Sequence, residues 1–458
     1  MSTRVAAADS ALLQLSNHGH PMVAISAVVL EGPAPSLEEM QGRVRELLPY
    51  FPRLEAMPVA VPLDLQRPVW ARLPDFRVED HVHTLDIEPP GGPGEVEALI
   101  ADLLNRPLDT DRPLWELCLA TGLRRDRWLL ASRMHLALVD ELRSADFFSA
   151  VLLPHLELDK PRPLSRSPGP LRLIGEAVRD LATSPYEQVR AAGALVRRFR
   201  PPPRPTVASP TEVAHGRVIL KLGDLQAVRG ALGGTVNDVL VTVLMAGITA
   251  AEPQRQAPIR VALPFAVRSL SQPGSYDNQI AVDHVEFALT GKDAQQRHRS
   301  VSEALDRFAR DNLAVGGKTL TRLSGFPPYL LLALGARATA REQADVSFVN
   351  APGGSSTVSA VGERRMVDGY AVAPHPPGVR WSATAMSYGG AVTLSLTGAA
   401  EGVTAAVEAM PKELSTLNDL VAAGGGVGGR DSGRPSRAKT QTNAGARGGD
   451  TASNPRKK

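Results

Sequence analysis

The chain has 458 residues, 43% hydrophobic and 22% charged, an ordinary globular make-up with room for two domain-sized units. The formal charge of +3 is misleading: residues 423–458 carry eight Lys/Arg against two Asp, so the other 422 residues sum to about −3, which argues against a nucleic-acid-binding body. A single cysteine, Cys118, excludes an internal disulfide and a cysteine-based metal cluster, and it fits a reducing compartment.

Met1–Leu15 has no basic region followed by an apolar core, so no secretory signal is expected. Met22–Leu30 is apolar and rich in β-branched residues, as a buried strand is. Ser36–Leu48 reads as an amphipathic helix, with Ser36 as N-cap, Glu38 and Glu39 in the first turn, and Met40, Val44 and Leu47 on one face. His81 and His83 stand two apart, which on a strand places both on one side. With only Asp80 and Asp86 nearby, the plain reading is an exposed or half-buried strand rather than a metal site. Pro62–Trp70 and Pro107–Trp115 are alike, each ending in an Arg-Pro-apolar-Trp corner that reads as a Pro-fixed turn before a buried indole. Trp128–His135 is another strand. Residues 156–212 contain PRPLSRSPGP and RRFRPPPRPTVASP, too much proline for a sheet or a long helix. A crossover linker is therefore expected there, between an N-terminal half (residues 1–155) and a C-terminal half (residues 213–422).

In the C-terminal half, Val218–Leu222 alternates like a strand and Thr235–Ala251 reads as a buried helix with Thr235 as N-cap. Ile259–Pro264 is a strand, Ala294–Asn312 a polar, charge-laced helix, and Val346–Val349, Val379–Tyr388 and Ala391–Thr397 are strands. The longest apolar stretches, such as Val239–Ala251, fall short of the roughly 18 residues that a membrane span needs. Asn312–Thr319 imitates the end of a P-loop, but Asn312 replaces its first glycine and a helix precedes it. GxSxG, HExxH and GxGxxG do not occur, which leaves serine-hydrolase, zincin and dinucleotide readings without support. Residues 423–458, made of Gly, Ser, Thr, Ala and Arg, are expected to be a disordered basic tail.

The most informative segment is Arg112–Phe148. Arg112-Pro113-Leu114-Trp115-Glu116 is followed by a strand and then by His135-Leu136-Ala137-Leu138-Val139-Asp140-Glu141. It resembles the central signature of the wax ester synthase/diacylglycerol acyltransferase family, a PLWE stretch and then HHxxxDG. His135 stands at the first histidine, Leu136 at the second, Asp140 at the aspartate and Glu141 at the glycine. Further landmarks follow in the family's order. Upstream are Arg67-Pro68-Val69-Trp70, Pro74-Asp75-Phe76 and Pro89-Pro90-Gly91-Gly92. Downstream are Thr235-Val236-Asn237-Asp238, Leu263-Pro264 through Arg268, Asn278, Asn350-Ala351-Pro352-Gly353 and Ser387-Tyr388-Gly389-Gly390. Ala351 replaces the Val of NVPG, Asp277 the Gly of GN and Ala266 the Ser of PxSxR.

The resemblance implies an α/β fold of two chloramphenicol-acetyltransferase-like halves with mixed sheets around a central cleft. It implies transfer of a fatty acyl group from acyl-CoA, as co-substrate, to diacylglycerol or a long-chain alcohol, with no further cofactor. In the family the second histidine is the general base, a task that suits an imidazole with a pKa near ~6.5. Leu136 cannot accept a proton, so the reaction is expected to be impaired, or the chain to be a silent relative that binds acyl-CoA or neutral lipid or regulates an active one. Glu141 and His135 are the alternative bases. The same resemblance makes His135 and Asp140 the motif's site residues and pairs Asp140 with Arg268. It places Arg268, Asn237, Asp238, Asn350 and Trp115 as cleft or structural residues. The substrates point to a cytoplasmic protein, peripheral at the inner membrane face or on lipid droplets. The basic tail and Arg197, Arg198, Arg200 and Arg204 are candidate contacts for anionic lipid.

Overall fold

The computed structural model describes residues 3–5, 7–17, 21–62, 66–141, 147–153, 212–267, 279–289, 291–314, 320–321, 344–351, 359–360 and 364–423. The expected linker (apart from residue 212), the basic tail beyond residue 423, the end of the P-loop-like segment, Asn278 and Arg268 lie outside them.

Strands are numbered in chain order. The N-terminal part supplies β1 (Thr3–Arg4), β2 (Val23–Glu31), β3 (Ala56–Val59), β4 (Val69–Arg72), β5 (Val82–Asp86), β6 (Trp115–Leu123) and β7 (Arg127–His135). The C-terminal part supplies β8 (Ala214–Lys221), β9 (Ile259–Val267), β10 (Gln279–Phe287), β11 (Leu320–Thr321), β12 (Val346–Ala351), β13 (Ser359–Ala360), β14 (Arg364–Val372), β15 (Trp381–Tyr388) and β16 (Ala391–Gly398). A six-stranded sheet runs β13-β14-β2-β7-β6-β5, and a seven-stranded one runs β10-β9-β12-β15-β16-β8 with β11 on β9. Both are mixed: β5 is parallel to β6, and β12 to β9 and β15. Parallel neighbours need crossover connections, and the Pro93–Asn105 helix supplies the one between β5 and β6. The architecture is thus the expected α/β fold of two sheet-centred halves.

The helices form where local chemistry favours them. Ser36 opens the Leu37–Leu47 helix in a capping box: its Oγ accepts from Glu39 N–H at 3.1 Å, and Glu39 accepts from Ser36 N–H at 2.7 Å. Met40, Val44 and Leu47 are its buried face, as their spacing requires. Thr235 opens the Val236–Ala251 helix in the same way with Asp238, and every residue from Asp238 to Ile248 is buried. That helix packs on the long Ala400–Ala422 helix, where Gly247 lies so close to Met410 that a Cβ would stand 2.8 Å from its terminal methyl. Gly389 and Gly390 take φ of 55° and 83° in the turn between β15 and β16, the left-handed pair that a two-residue hairpin demands.

The structure departs from the sequence reading in places: the strand expected over Val379–Tyr388 begins at Trp381, and the one expected over Ile259–Pro264 runs on to Val267. Val218–Leu222 is the end of a longer strand that starts at Ala214, and Leu222 begins the Leu222–Leu232 helix. His81 is not on a half-exposed strand. It is 3% exposed just before β5, stacked against both Phe76 (5.1 Å) and Trp115 (4.7 Å), and its Nδ1–H donates to Trp115 O at 2.8 Å. His83, half-buried, is on the strand itself. Trp70 and Trp115 are both buried, as the two Pro-fixed corners suggested.

Strand pairing ties the halves together. Although β14 comes late in the chain, it pairs antiparallel with β2 in the N-terminal sheet, Tyr370 opposite Ala27 and Val372 opposite Ile25. Met366 and Ala371 of β14, with Val349 and Tyr388, complete the apolar core built on the N-terminal half.

Candidate active site

The segment that carries the resemblance is central in its sheet. β7 lies between β2 and β6, so both edges of the strand leading to His135 are paired. His135 N–H donates to Leu114 O at 3.0 Å and Leu136 N–H to Met22 O at 2.9 Å. The two parts of the signature therefore meet: β6 starts at Trp115, opposite Met134 of β7. Trp115 is 0% exposed and its Nε1–H donates to Leu54 O at 2.8 Å, so this indole is a core anchor. Glu116 pairs with the fully buried Arg133, whose Nε–H donates to Leu103 O at 2.8 Å and which also donates to Arg106 O. Arg133 thus binds the free carbonyls at the end of the Pro93–Asn105 helix while Glu116 holds it in place.

His135 is 3% exposed and both ring nitrogens are engaged. Ala137 N–H donates to Nδ1 at 3.0 Å. A nitrogen that accepts carries no proton, so the neutral ring bears its hydrogen on Nε2, which donates to Ser16 Oγ at 2.8 Å. The same Oγ accepts Met22 N–H at 3.2 Å. Burial pushes the His135 pKa down to about 3, so the neutral form holds throughout the physiological range. This polarity is opposite to that of a serine–histidine dyad, in which the imidazole accepts the hydroxyl proton. Ser16 therefore fixes His135 rather than being activated by it. Sequence reasoning missed Ser16, which lies 119 residues away and carries no motif signal.

Leu136 begins the short 3-10 turn Leu136–Glu141, which also contains Asp140 and Glu141. Its side chain is 0% exposed and belongs to the same apolar cluster as Met22, Trp115, Phe147 and Val349. The pairing of Asp140 with Arg268 falls outside the described residues. The downstream landmarks are brought together in part. Asn350, at the end of β12, donates from Nδ2 to Asn237 Oδ1 at 3.0 Å, joining that strand end to the TVND helix start. Asp238 spends both carboxylate oxygens on its own helix, Oδ2 accepting Thr235 N–H at 3.1 Å and Oδ1 the Thr235 hydroxyl at 2.6 Å. It is a cap. Among the described residues, no cluster of three or more His, Cys, Asp or Glu is arranged to hold a metal.

The model for the wax ester synthase/diacylglycerol acyltransferase catalytic domain matches residues 5–240, and that for the WS/DGAT C-terminal domain matches residues 276–415. The chain belongs to the wax ester synthase/diacylglycerol acyltransferase family. It is 34% identical over 208 residues to the probable diacylglycerol O-acyltransferase tgs3 of Mycobacterium tuberculosis, covering 43% of this chain and 74% of that one. It is 26% identical over 419 residues to the probable diacylglycerol O-acyltransferase tgs1 of the same organism, covering 81% and 85%. The solved wax ester synthase/diacylglycerol acyltransferase from Marinobacter aquaeolei VT8 superposes with a TM-score of 0.63 at 18% identity, over 93% of this chain and 100% of that one. The first condensation domain of the calcium-dependent antibiotic synthetase does so at 0.51 and 14% identity, over 92% and 96%. These two likenesses establish the fold, and the family match establishes its acyltransferase kinship. Within that family frame, Leu136 stands at the position that the resemblance gives to the second motif histidine.

Proposed function

We propose that this chain is an acyl-CoA-dependent O-acyltransferase of the triacylglycerol and wax ester type, working slowly because its motif offers no imidazole base. The reaction joins the hydroxyl oxygen of a diacylglycerol or long-chain alcohol to the acyl carbon of a fatty acyl-CoA. The thioester C–S bond breaks, and the hydroxyl proton ends on the released CoA thiol. The observation that carries this reading is the match of both family domains over most of the chain, with PLWE, TVND and the HLALVDE segment retained in order. Without a base, substrate positioning and polar stabilisation supply the remaining acceleration.

A second reading rests on a specific observation. Leu136 is buried in the core and His135 has its accepting nitrogen taken by Ala137 N–H. Neither side chain is placed to remove a proton, which favours a silent relative that binds acyl-CoA or neutral lipid, or that regulates an active homologue. Purified protein assayed with palmitoyl-CoA and diolein separates the two. CoA release above that of a heat-denatured control, with matching triacylglycerol, supports the transferase. Binding of palmitoyl-CoA with no turnover supports the silent relative.

On either reading the partners are acyl-CoA and a neutral lipid or alcohol, met at a membrane or droplet surface from the cytoplasmic side. No single helix among the described residues is long and apolar enough to cross a membrane. Truncation after residue 422 tests the basic tail: weaker binding to anionic vesicles at low salt supports a tail contact, and unchanged binding removes it.

A further inference from the structure

Besides the apolar contacts of Val349 and Tyr388, the two halves meet through a polar seam. Pairing puts Thr397 beside His215, Ser395 beside Arg217 and Thr393 beside Ile219, so these side chains share one face of the seven-stranded sheet. Ser382 and Thr384 of β15 continue that face. The face turns toward β14: Thr384 donates to Ala371 O, and Thr393 donates to Asp368 Oδ1 at 3.1 Å.

At its centre is Arg217. Its Nε–H donates to Glu97 Oε1 at 2.6 Å and its Nη1 pairs with Asp368 Oδ2, while the guanidinium lies 4.3 Å from the Tyr370 ring centroid. His215 Nδ1 contacts the other Glu97 oxygen, and its ring is nearly parallel to Tyr370 at 6.2 Å. The His215 side chain is 0% exposed and Arg217 only 11%. Burial alone raises a carboxyl's pKa, yet Glu97 is held below its usual value because His215 and Arg217 outweigh that penalty. The charged partners come from different parts of the fold. Glu97 is on the Pro93–Asn105 helix of the N-terminal half, His215 and Arg217 are on the first strand of the C-terminal half, and Asp368 and Tyr370 are on the strand that crosses into the N-terminal sheet. Asn105, on the same helix as Glu97, adds a two-way bond to Val213, with Nδ2 donating to its O at 2.8 Å and Oδ1 accepting its N–H at 2.9 Å.

Buried ion pairs add little net stability compared with apolar packing, but they accept one geometry and reject others. Small hydroxyl side chains bury little apolar surface and join the sheet to β14 through single neutral hydrogen bonds, so the stronger charge-assisted contacts of Arg217 contribute most to how this seam sits. We propose that the Glu97–Arg217–Asp368 cluster, with His215 and Tyr370, is a clamp that couples the two halves and holds them in one relative placement. It acts whether or not the chain turns over.

The test is native-state hydrogen exchange of the full chain across a urea series. It follows β7 for the N-terminal half and the Val236–Ala251 helix for the C-terminal half. The clamp requires coincident midpoints in wild type. Arg217→Met leaves Glu97 only its His215 contact and Asp368 only the Thr393 hydroxyl, and the midpoints should separate by about 1 M urea. Asp368→Asn keeps the Glu97 contact and should give a smaller separation in the same direction, which guards against a failure of Arg217→Met to fold. Arg255→Met is the control. It breaks a comparable knot with Glu252 and Asp345, but within one half, and should shift midpoints without parting β7 from the helix. Separate midpoints in wild type, or coincident ones in both seam variants, would overturn the proposal.

Discussion

Leu136→His restores the residue type that the family resemblance places beside His135, and its two consequences oppose each other. The leucine side chain is 0% exposed, so its loss forfeits about 1.5–3 kcal/mol of apolar burial. An imidazole in that apolar cluster adds a desolvation cost of roughly 1–3 kcal/mol. The fold should lose about 4 kcal/mol in total, a large share of a typical stability of about 5–15 kcal/mol, and its urea midpoint should fall visibly. That cost also favours turning the new imidazole out of the core toward substrate. A general base lowers the barrier by about 3–5 kcal/mol, or about 10²–10⁴ in rate. The assay is CoA release from palmitoyl-CoA with diolein, normalised to the folded fraction. We expect a gain of at least about 10²-fold in turnover together with lower stability. A folded variant with wild-type turnover would show that this position does not serve the acceptor, and the inference from the motif would fail.

Other predictions follow from neighbouring contacts. Ser16→Ala orphans the His135 Nε2–H and weakens the hold on Met22 N–H, and should cost about 1–3 kcal/mol in urea unfolding; no loss would mean that neither bond matters. Arg133→Met removes the bonds to Leu103 O, Arg106 O and Glu116 and should cost about 3 kcal/mol by the same measurement. The buried Cys118 thiol, which burial pushes up to about 12, should resist alkylation by iodoacetamide in the folded protein, and rapid labelling would contradict its burial. The pKa of Glu97 is lower folded than unfolded, so its contribution is complete above the ordinary value of 4.5 and is lost as pH falls through the lowered one. Glu97→Gln should therefore flatten the acid limb of stability against pH, and an unchanged limb would count against the Arg217 cluster.

Local signals were legible wherever a short stretch decides its own structure. Ser36 with Glu39 and Thr235 with Asp238 cap helices because the partners are three residues apart. The apolar run from Met22 had to be a central strand, and β2 lies between β14 and β7. What was not legible depends on distant residues. Arg364–Val372 reads as a mixed, charged segment, and its place beside β2 comes from pairing across more than 330 residues. The burial of His81 depends on Phe76 and Trp115, which close over it from another loop and another strand. The motif itself was found from its residue types and order. That His135 is a buried donor was hidden, because the tautomer is set by Ala137 N–H and by a serine on the first helix.

The account turns on that tautomer. Nitrogen-15 spectra of histidine-labelled protein, with His135 assigned by comparison with His135→Gln, report the protonation of each ring nitrogen across pH 4–8. The account predicts hydrogen on Nε2, a bare Nδ1, and no titration over that range, because protonation waits until about pH 3. A hydrogen on Nδ1, or a titration near the ordinary 6.5, would show an imidazole free to act as a base and would contradict it.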